Sequence, residues 1–412
     1  MRSPARTESA NRFSREGALA APSLFSIQYR THNALKEVKV RLTRDRIIAF
    51  SVLLPSLILI AVFVYGFIGQ TVYISLTDWG KGAALAVNPQ MHLIGFDNYK
   101  ELFTSFLHGR FRQDLINAFF YTVSLVLGSL ALGLFLAILL DREPRGEGIF
   151  RTIFLYPMSL SFIVTGTIWR WLLAPEGGVN VLPSFIGLPA GQFRWISSRE
   201  QILTFDWQSI PAITAIVVSL VLIFLAVRTW RKGTHKRALI VAFPALLLIL
   251  WAVFGQRMVP QMLPIPERHG FNLATIGVSI AAIWQFSGYT MALYLAGLRG
   301  VPVGLHEAAR LDGATEIQYY MRVAFPILKP ITLSAVIILA HISLKMFALI
   351  FAMAGPDNAA TDHPAVLMYL TTFRGNKFAL GASIAVILFL LVALFIIPYL
   401  ISSYREQRRR AS

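Results

Sequence analysis

Apolar residues along this chain gather in runs of about twenty, the length a helix needs to cross a hydrocarbon core. Eight such runs are visible, at approximately 47–67, 117–140, 153–173, 211–228, 238–255, 273–295, 331–353 and 379–401. The pattern predicts an all-α integral membrane protein of about eight transmembrane helices. An even number of crossings puts both termini on one side. The N-terminal tail, the loops at 141–152, 228–237 and 299–330 and the C-terminal tail hold most of the 38 Lys and Arg residues, while acidic residues divide almost evenly between the two sides. Basic residues accumulate on the cytoplasmic side, so both termini are expected there, in a bacterial inner membrane. Trp169 and Trp171 close the third run and Tyr399 and Tyr404 flank the last, as aromatic belts do.

Composition agrees: 56% hydrophobic residues against 14% charged do not describe soluble domains. The net charge of +17 does not read as a nucleic-acid surface, because the cations sit between apolar runs without a continuous patch or aromatic ladder. With no cysteine, thiolate chemistry and disulfides are excluded. The first run has no small-residue cleavage site after it, so it is expected to stay as an anchor. Residues 1–46 read as a basic, mostly disordered tail near anionic lipid, and 403–412 as a second basic tail.

Between the sixth and seventh runs, Val301 to Pro330 is too polar to cross a membrane. It predicts two short helices. The first covers about Gly304 to Asp312 and stops at Gly313, the residue that most easily turns left-handed. The second opens with Thr315 and Gln318 at capping-box spacing and ends where Pro326 and Pro330 forbid continuation. Ala308 and Ala309 leave a flat face beside the charge of Glu307, which suits docking to another protein. His306-Glu307 begins a zinc-protease pattern, but Arg310 stands where the second histidine belongs, so that reading fails.

The order E-A-A, three residues, G, nine residues, V-A-F-P resembles the EAA motif of binding-protein-dependent ABC-importer permeases, the MetI-like family. The resemblance implies that this loop is a coupling helix seated in a cytoplasmic ATPase, with Glu307, Ala308, Ala309 and Gly313 as docking residues and Val323 and Pro326 closing the motif. It further implies an ATPase dimer carrying ATP and Mg²⁺, no cofactor on this chain, a second permease subunit and an external sugar-binding protein. Three stretches resemble the sugar-permease branch: Leu76 to Trp79 with Ile94 to Tyr99, Ala174 to Asn180, and Lys345 to Pro356. The six-helix family core has nothing corresponding to about 200–272. The expected organisation is therefore 47–199 and 273–402 as core, with an inserted helix pair between them that enters and leaves on one side.

Ionisable residues inside a span are costly and usually line a cavity or pair with one another. In the seventh run Ser334, His341 and Lys345 fall on one helical stripe, expected to line a translocation pathway with Trp284, Gln285 and Tyr289 of the sixth. Helix-to-helix hydrogen bonding without substrate contact is the alternative for these residues. None of the eight runs holds an Asp or Glu, which counts against an ion-coupled secondary transporter. No G-x-x-x-x-G-K-[ST] occurs, so the chain is expected to be a transport subunit and not the motor. A permease for a carbohydrate is the favoured reading, with a secondary transporter or a permease for another solute as alternatives.

Overall fold

The structure is a computed structural model that describes residues 44–81, 91–255 and 266–411. The tail at 1–43 and the stretch at 256–265 lie outside the described residues. The chain forms two units, divided after Phe67. The first contributes α1, Arg44–Ile60, followed by a π-helical turn at Ala61–Gly66. The second begins one residue into α2 (Phe67–Ser75) and holds α3 (Asp97–Thr104) and all later elements.

Among the described residues, six helical stretches are long and apolar enough to cross a bilayer unbroken: Ile48–Ser75, Phe106–Asp141, Trp207–Arg231, His235–Phe254, Ala274–Arg299 and Phe378–Ile401. Two expected spans are broken. The run at 153–173 is α5, Glu147–Ser159, and α6, Phe162–Leu172, bent by 101°. Pro157 has no N–H to give its helix, Leu160 is extended, and Ser161 starts α6 by accepting from the Val164 N–H. The run at 331–353 is likewise not one helix, since α13, Lys329–Leu344, stops before Lys345 and α14, Ala348–Ala354, begins anew.

The core forms where α4, Gly109–Asp141, crosses α9, Ala274–Arg299. A Cβ on Gly133 would stand 2.0 Å from the Thr290 hydroxyl and 2.8 Å from the Met291 nitrogen, so only glycine permits the approach. The Thr290 hydroxyl donates to the Ser129 carbonyl at 2.6 Å across this contact. Small residues and cross-helix hydrogen bonds are what hold helices together where lipid is as apolar as the side chains. Gly288, further along α9, lies against α5, with a Cβ position 2.0 Å from the Phe154 carbonyl oxygen. Tyr121 and Leu125 of α4 pack with Val278, Ala281 and Phe286 of α9 in the main apolar cluster, which continues to Leu339 and Leu349.

The all-α expectation omitted one small sheet. β1, Gln201–Asp206, pairs antiparallel with β2, Arg268–Asn272. Between them stand α7, Ile210–Arg231, and α8, His235–Phe254. The strands are too short and too polar to give a strong alternating signal.

The loop after α2 explains two of the stretches noted in the sequence. Asn98 donates to the carbonyls of Ser75 and Thr77 at 2.8 and 2.7 Å, and Asp78 accepts the His92 N–H at 2.8 Å. Trp79 stacks on Phe378 at 4.7 Å, at the start of α16, Phe378–Ala411. Asn180 does the same work after α6, donating to the carbonyls of Pro175 and Phe193. These motif residues build loops.

The crossing gives a test of packing. Gly288→Ala is expected to cost about 1–3 kcal/mol through overpacking, read as a lower melting temperature in detergent, whereas Gly69→Ala, with open space around its Cβ position, leaves melting unchanged.

Candidate functional site

The segment from Val301 to Pro330 folds as a helical hairpin. α10, Val303–Leu311, ends as Gly313 turns left-handed at φ 76°. Thr315 then caps α11, Glu316–Tyr319: its hydroxyl accepts the Gln318 N–H while the Gln318 side chain accepts the Thr315 N–H at 2.9 Å. The helix continues through a π turn, Tyr320–Ala324, into α12, Phe325–Ile327. Pro326 is thus tolerated inside the second helix, which ends at Leu328. Pro330 opens α13, where a missing N–H costs nothing. The bend at Leu328 is 70°.

The hairpin has an anchored face and an open one. Ala309, Tyr319, Ala324 and Leu328 are buried against Leu136, Ala137 and Leu140 of α4 and Tyr294, Leu295 and Leu298 of α9, with half-buried Val323 beside them. Ala309 was expected on the docking face. It is only 8% exposed and turned into the bundle, because α10 must bury one side against Tyr319. Glu307, Ala308, Gly313 and Pro326 are exposed, and so are Leu311 at 89% and Ile317 at 76%. Val303 at 72% and Met321 at 61% are exposed on the same hairpin, so its open side is apolar as well as charged.

One polar bond fixes the hairpin to the end of α4, and an ion-pair cluster beside it ties α5 to α9. The Tyr320 hydroxyl donates to Asp141, the last residue of α4, at 2.9 Å. Glu147, which opens α5, pairs with Arg299, the last residue of α9, at 2.7 Å and with Arg151 at 2.5 Å. Within the hairpin the His306 ring lies 4.3 Å from that of Tyr319, and its Nε2 is 3.3 Å from Glu316.

The expected pathway residues divide into two groups. Gln285 is buried and donates to the Leu160 carbonyl at 3.0 Å, satisfying an acceptor that the break between α5 and α6 releases. Trp284 meets Trp169 edge-on at 5.8 Å, and Tyr289 packs against the main apolar cluster. His341 and Lys345 instead line an open cavity of about 460 Å³ with Phe347, Met368, Tyr369 and Phe389. Ser334 and His341 both stand on α13, whose cap is Lys345, and the cavity that His341 and Lys345 line does not include Ser334. Ser334 turns to Tyr399 of α16 at 3.3 Å. Beside Lys345 stands a series of rings that the sequence reading missed: Phe347 lies 5.1 Å from Phe351 and 5.2 Å from Tyr369, itself 5.4 Å from Phe373. Tyr369 and Phe373 come from α15, Pro364–Tyr369, and the π turn after it, so no local pattern announced the cluster.

The opposite end of α4 holds a second missed group. α4 starts at Gly109, earlier than the expected 117, and so contains Arg112 and Asp114, both fully buried. The expectation that no span holds an acidic residue is corrected by Asp114, whose two carboxylate oxygens have no hydrogen-bond partner among the described residues. Arg112 pairs with Glu267 and donates to the carbonyls of Leu102 and Ser105 at 3.0 and 2.9 Å. Arg110 pairs with Asp362, whose carboxyl burial pushes up against the pull of that guanidinium.

The family model described as "binding-protein-dependent transport system inner membrane component" matches residues 238–410. A probable ABC transporter permease of Pyrococcus horikoshii is 34% identical over 359 residues, 87% of this chain and 96% of that protein. The xylose/arabinose import permease of Haloferax volcanii is 30% identical over 356 residues, 85% of this chain and 86% of that one. Among solved structures, a bacterial alginate ABC transporter in complex with a periplasmic protein carrying an alginate pentasaccharide has a chain that matches with a TM-score of 0.56 at 17% identity. The match covers 87% of this chain and 94% of that one, and it speaks for the fold. An apolar helical bundle with a capped, outward-facing hairpin is thus the build of an ABC transporter permease. This chain belongs to the binding-protein-dependent family of inner-membrane permeases.

Two substitutions separate the hairpin's own stability from its attachment. Thr315→Ala removes the cap and is expected to cost about 0.5–2 kcal/mol. Tyr320→Phe leaves the cap intact but frees Asp141, and is expected to raise hydrogen exchange across 303–327 at small cost in overall melting. Equal exchange in wild type and Tyr320→Phe would show that the bond to α4 holds nothing.

Proposed function

We propose that the chain is the membrane subunit of a carbohydrate importer, driven through the Val301–Pro330 hairpin by a separate ATPase dimer. The observation that carries the reading is the hairpin: one face locked to α4, α5 and α9, the other presenting Glu307, Ala308, Leu311, Gly313 and Ile317. Ala309 and Val323 act from beneath as the packing that holds this surface, with Pro326 at its edge. ATP and Mg²⁺ belong to the ATPase. Both termini and the hairpin lie in the cytoplasm, for which the distribution of Lys and Arg speaks. A second permease subunit completes the channel, and an external binding protein delivers substrate to the opposite end.

Support for a carbohydrate comes from relatives named for xylose/arabinose, glucose and trehalose/maltose import. The rings of Phe347, Phe351, Tyr369 and Phe373 agree, since aromatic faces suit the apolar faces of sugar rings and Lys345 and His341 offer polar groups beside them. Trp284, Gln285, Tyr289 and Ser334 then position helices and need not touch substrate. We also read 200–272 as an inserted unit, because the Leu273 N–H donates to the Glu200 carbonyl at 3.0 Å and closes its base.

Leu311→Asp combined with Ile317→Asp is expected to lower both ATPase co-purification and uptake by at least about tenfold, as loss of an interface hot spot does, with the permease still inserted. Lys345→Ala is expected to reduce uptake while ATPase binding stays intact. The whole complex in liposomes, screened with sugars for stimulated ATP hydrolysis, identifies the substrate. A stimulating solute that is not a sugar would end the carbohydrate reading.

A further inference from the structure

The α7–α8 hairpin stands apart in its chemistry. Its two helices pack on each other through Ala212, Ala215 and Ala252 around Leu248. Among the described residues no side-chain hydrogen bond or ion pair ties either helix to another membrane helix. Their outer sides are apolar and open, with Leu220 at 60%, Phe224 at 66%, Ile240 at 71% and Phe243 at 64% exposed.

At the turn joining them, Arg228, Arg231, Lys232, Lys236 and Arg237 are all exposed. None of the five takes part in an ion pair among the described residues, and no Asp or Glu occurs anywhere from Trp207 to Gly255. Trp230 packs on His235 at 4.5 Å in the same turn. α7 has 22 residues, about 33 Å at 1.5 Å per residue. That length carries the turn from one face of a hydrocarbon core of about 30 Å to the other. The cations therefore emerge at the level of lipid phosphates.

We propose that the α7–α8 turn is a binding site for anionic phospholipid headgroups. Five clustered cations with no acidic partner among the described residues attract counter-charge, and the apolar walls leading to them are continuous with the same two helices. One amphiphile satisfies both, acyl chains along Phe224 and Phe243 and phosphate at the turn, whereas a soluble acidic protein would leave the walls uncovered. Arg forks hold phosphate oxygens in pairs and the lysines add point charge. The aromatic pair of Trp230 and His235 sits where interfacial rings anchor a helix end.

The full-length permease is purified in detergent and offered phosphatidylglycerol and phosphatidylethanolamine in equal amounts, and bound lipids are counted by native mass spectrometry. Wild type is expected to retain phosphatidylglycerol preferentially. The variant Arg228→Gln, Arg231→Gln, Lys232→Gln, Lys236→Gln, Arg237→Gln is expected to retain at least about tenfold less, since each surface cation adds to attraction for anionic lipid. Arg228→Lys, Arg231→Lys and Arg237→Lys together keep the charge and are expected to keep the preference. Should the fivefold variant fail to insert, Lys236→Gln with Arg237→Gln is read instead and should lose part of it. Equal phosphatidylglycerol retention by the neutralised protein overturns the proposal. So does unchanged lipid retention with loss of a co-purifying ATPase, which would make the turn a protein contact.

Discussion

Where α4 meets α9, two backbones approach so closely that one methyl group at Gly133 would collide with Thr290. In lipid this contact cannot rely on expelling water from apolar surface; it rests on van der Waals packing and on the hydrogen bond from Thr290 to the Ser129 carbonyl. The rest of the second unit is arranged along these two helices. At one end Asp141 and Arg299, their last residues, hold the Tyr320 hydroxyl and Glu147. At the other, α4 carries Arg112, which fastens Glu267, and Asn117, which donates to the Asp362 carbonyl at 3.0 Å. A shift of this pair moves both ends together.

The broken helices give that pair its means of communication. An interrupted helix inside a membrane frees backbone groups that lipid cannot satisfy. Here Gln285 of α9 meets the freed Leu160 carbonyl, so α5, α6 and α9 meet at one half-buried bond. The bend at Leu328 similarly separates the hairpin from α13 without leaving a proline where an N–H is required. The hairpin is thus joined to α4 through Tyr320, to α9 through the apolar cluster of Ala309 and Leu298, and to α13 through the bend.

Much of this was legible in the sequence, for reasons local to particular residues. Gly313, Thr315 and Gln318 act on neighbours within a turn, so the hairpin and its cap followed from spacing alone. Run length marked the apolar stretches, six of which stand as unbroken helices among the described residues. Pro157 was a visible sign of the break at Leu160, but what stabilises that break, Gln285, lies on another helix, and the break at Lys345 has no breaker residue beside it. That Ala309 is buried could not be read locally, because its cover is Tyr319, which folds back over α10. The rings at 347, 351, 369 and 373 and the buried Asp114 were missed for a related cause: the first are joined only by tertiary packing, and the last lay just before an apolar run whose start was set by hydropathy.

The two strands β1 and β2 have a consequence for how such a chain tolerates change in length. Glu200 and Leu273 are hydrogen-bond neighbours although more than a third of a typical domain separates them. Whatever stands between them leaves and returns at one point, so the downstream helices keep their direction whether that detour is long or short. Growth or loss at this site is free of topological cost, and the chain can vary there without turning its hairpin to the wrong side of the membrane.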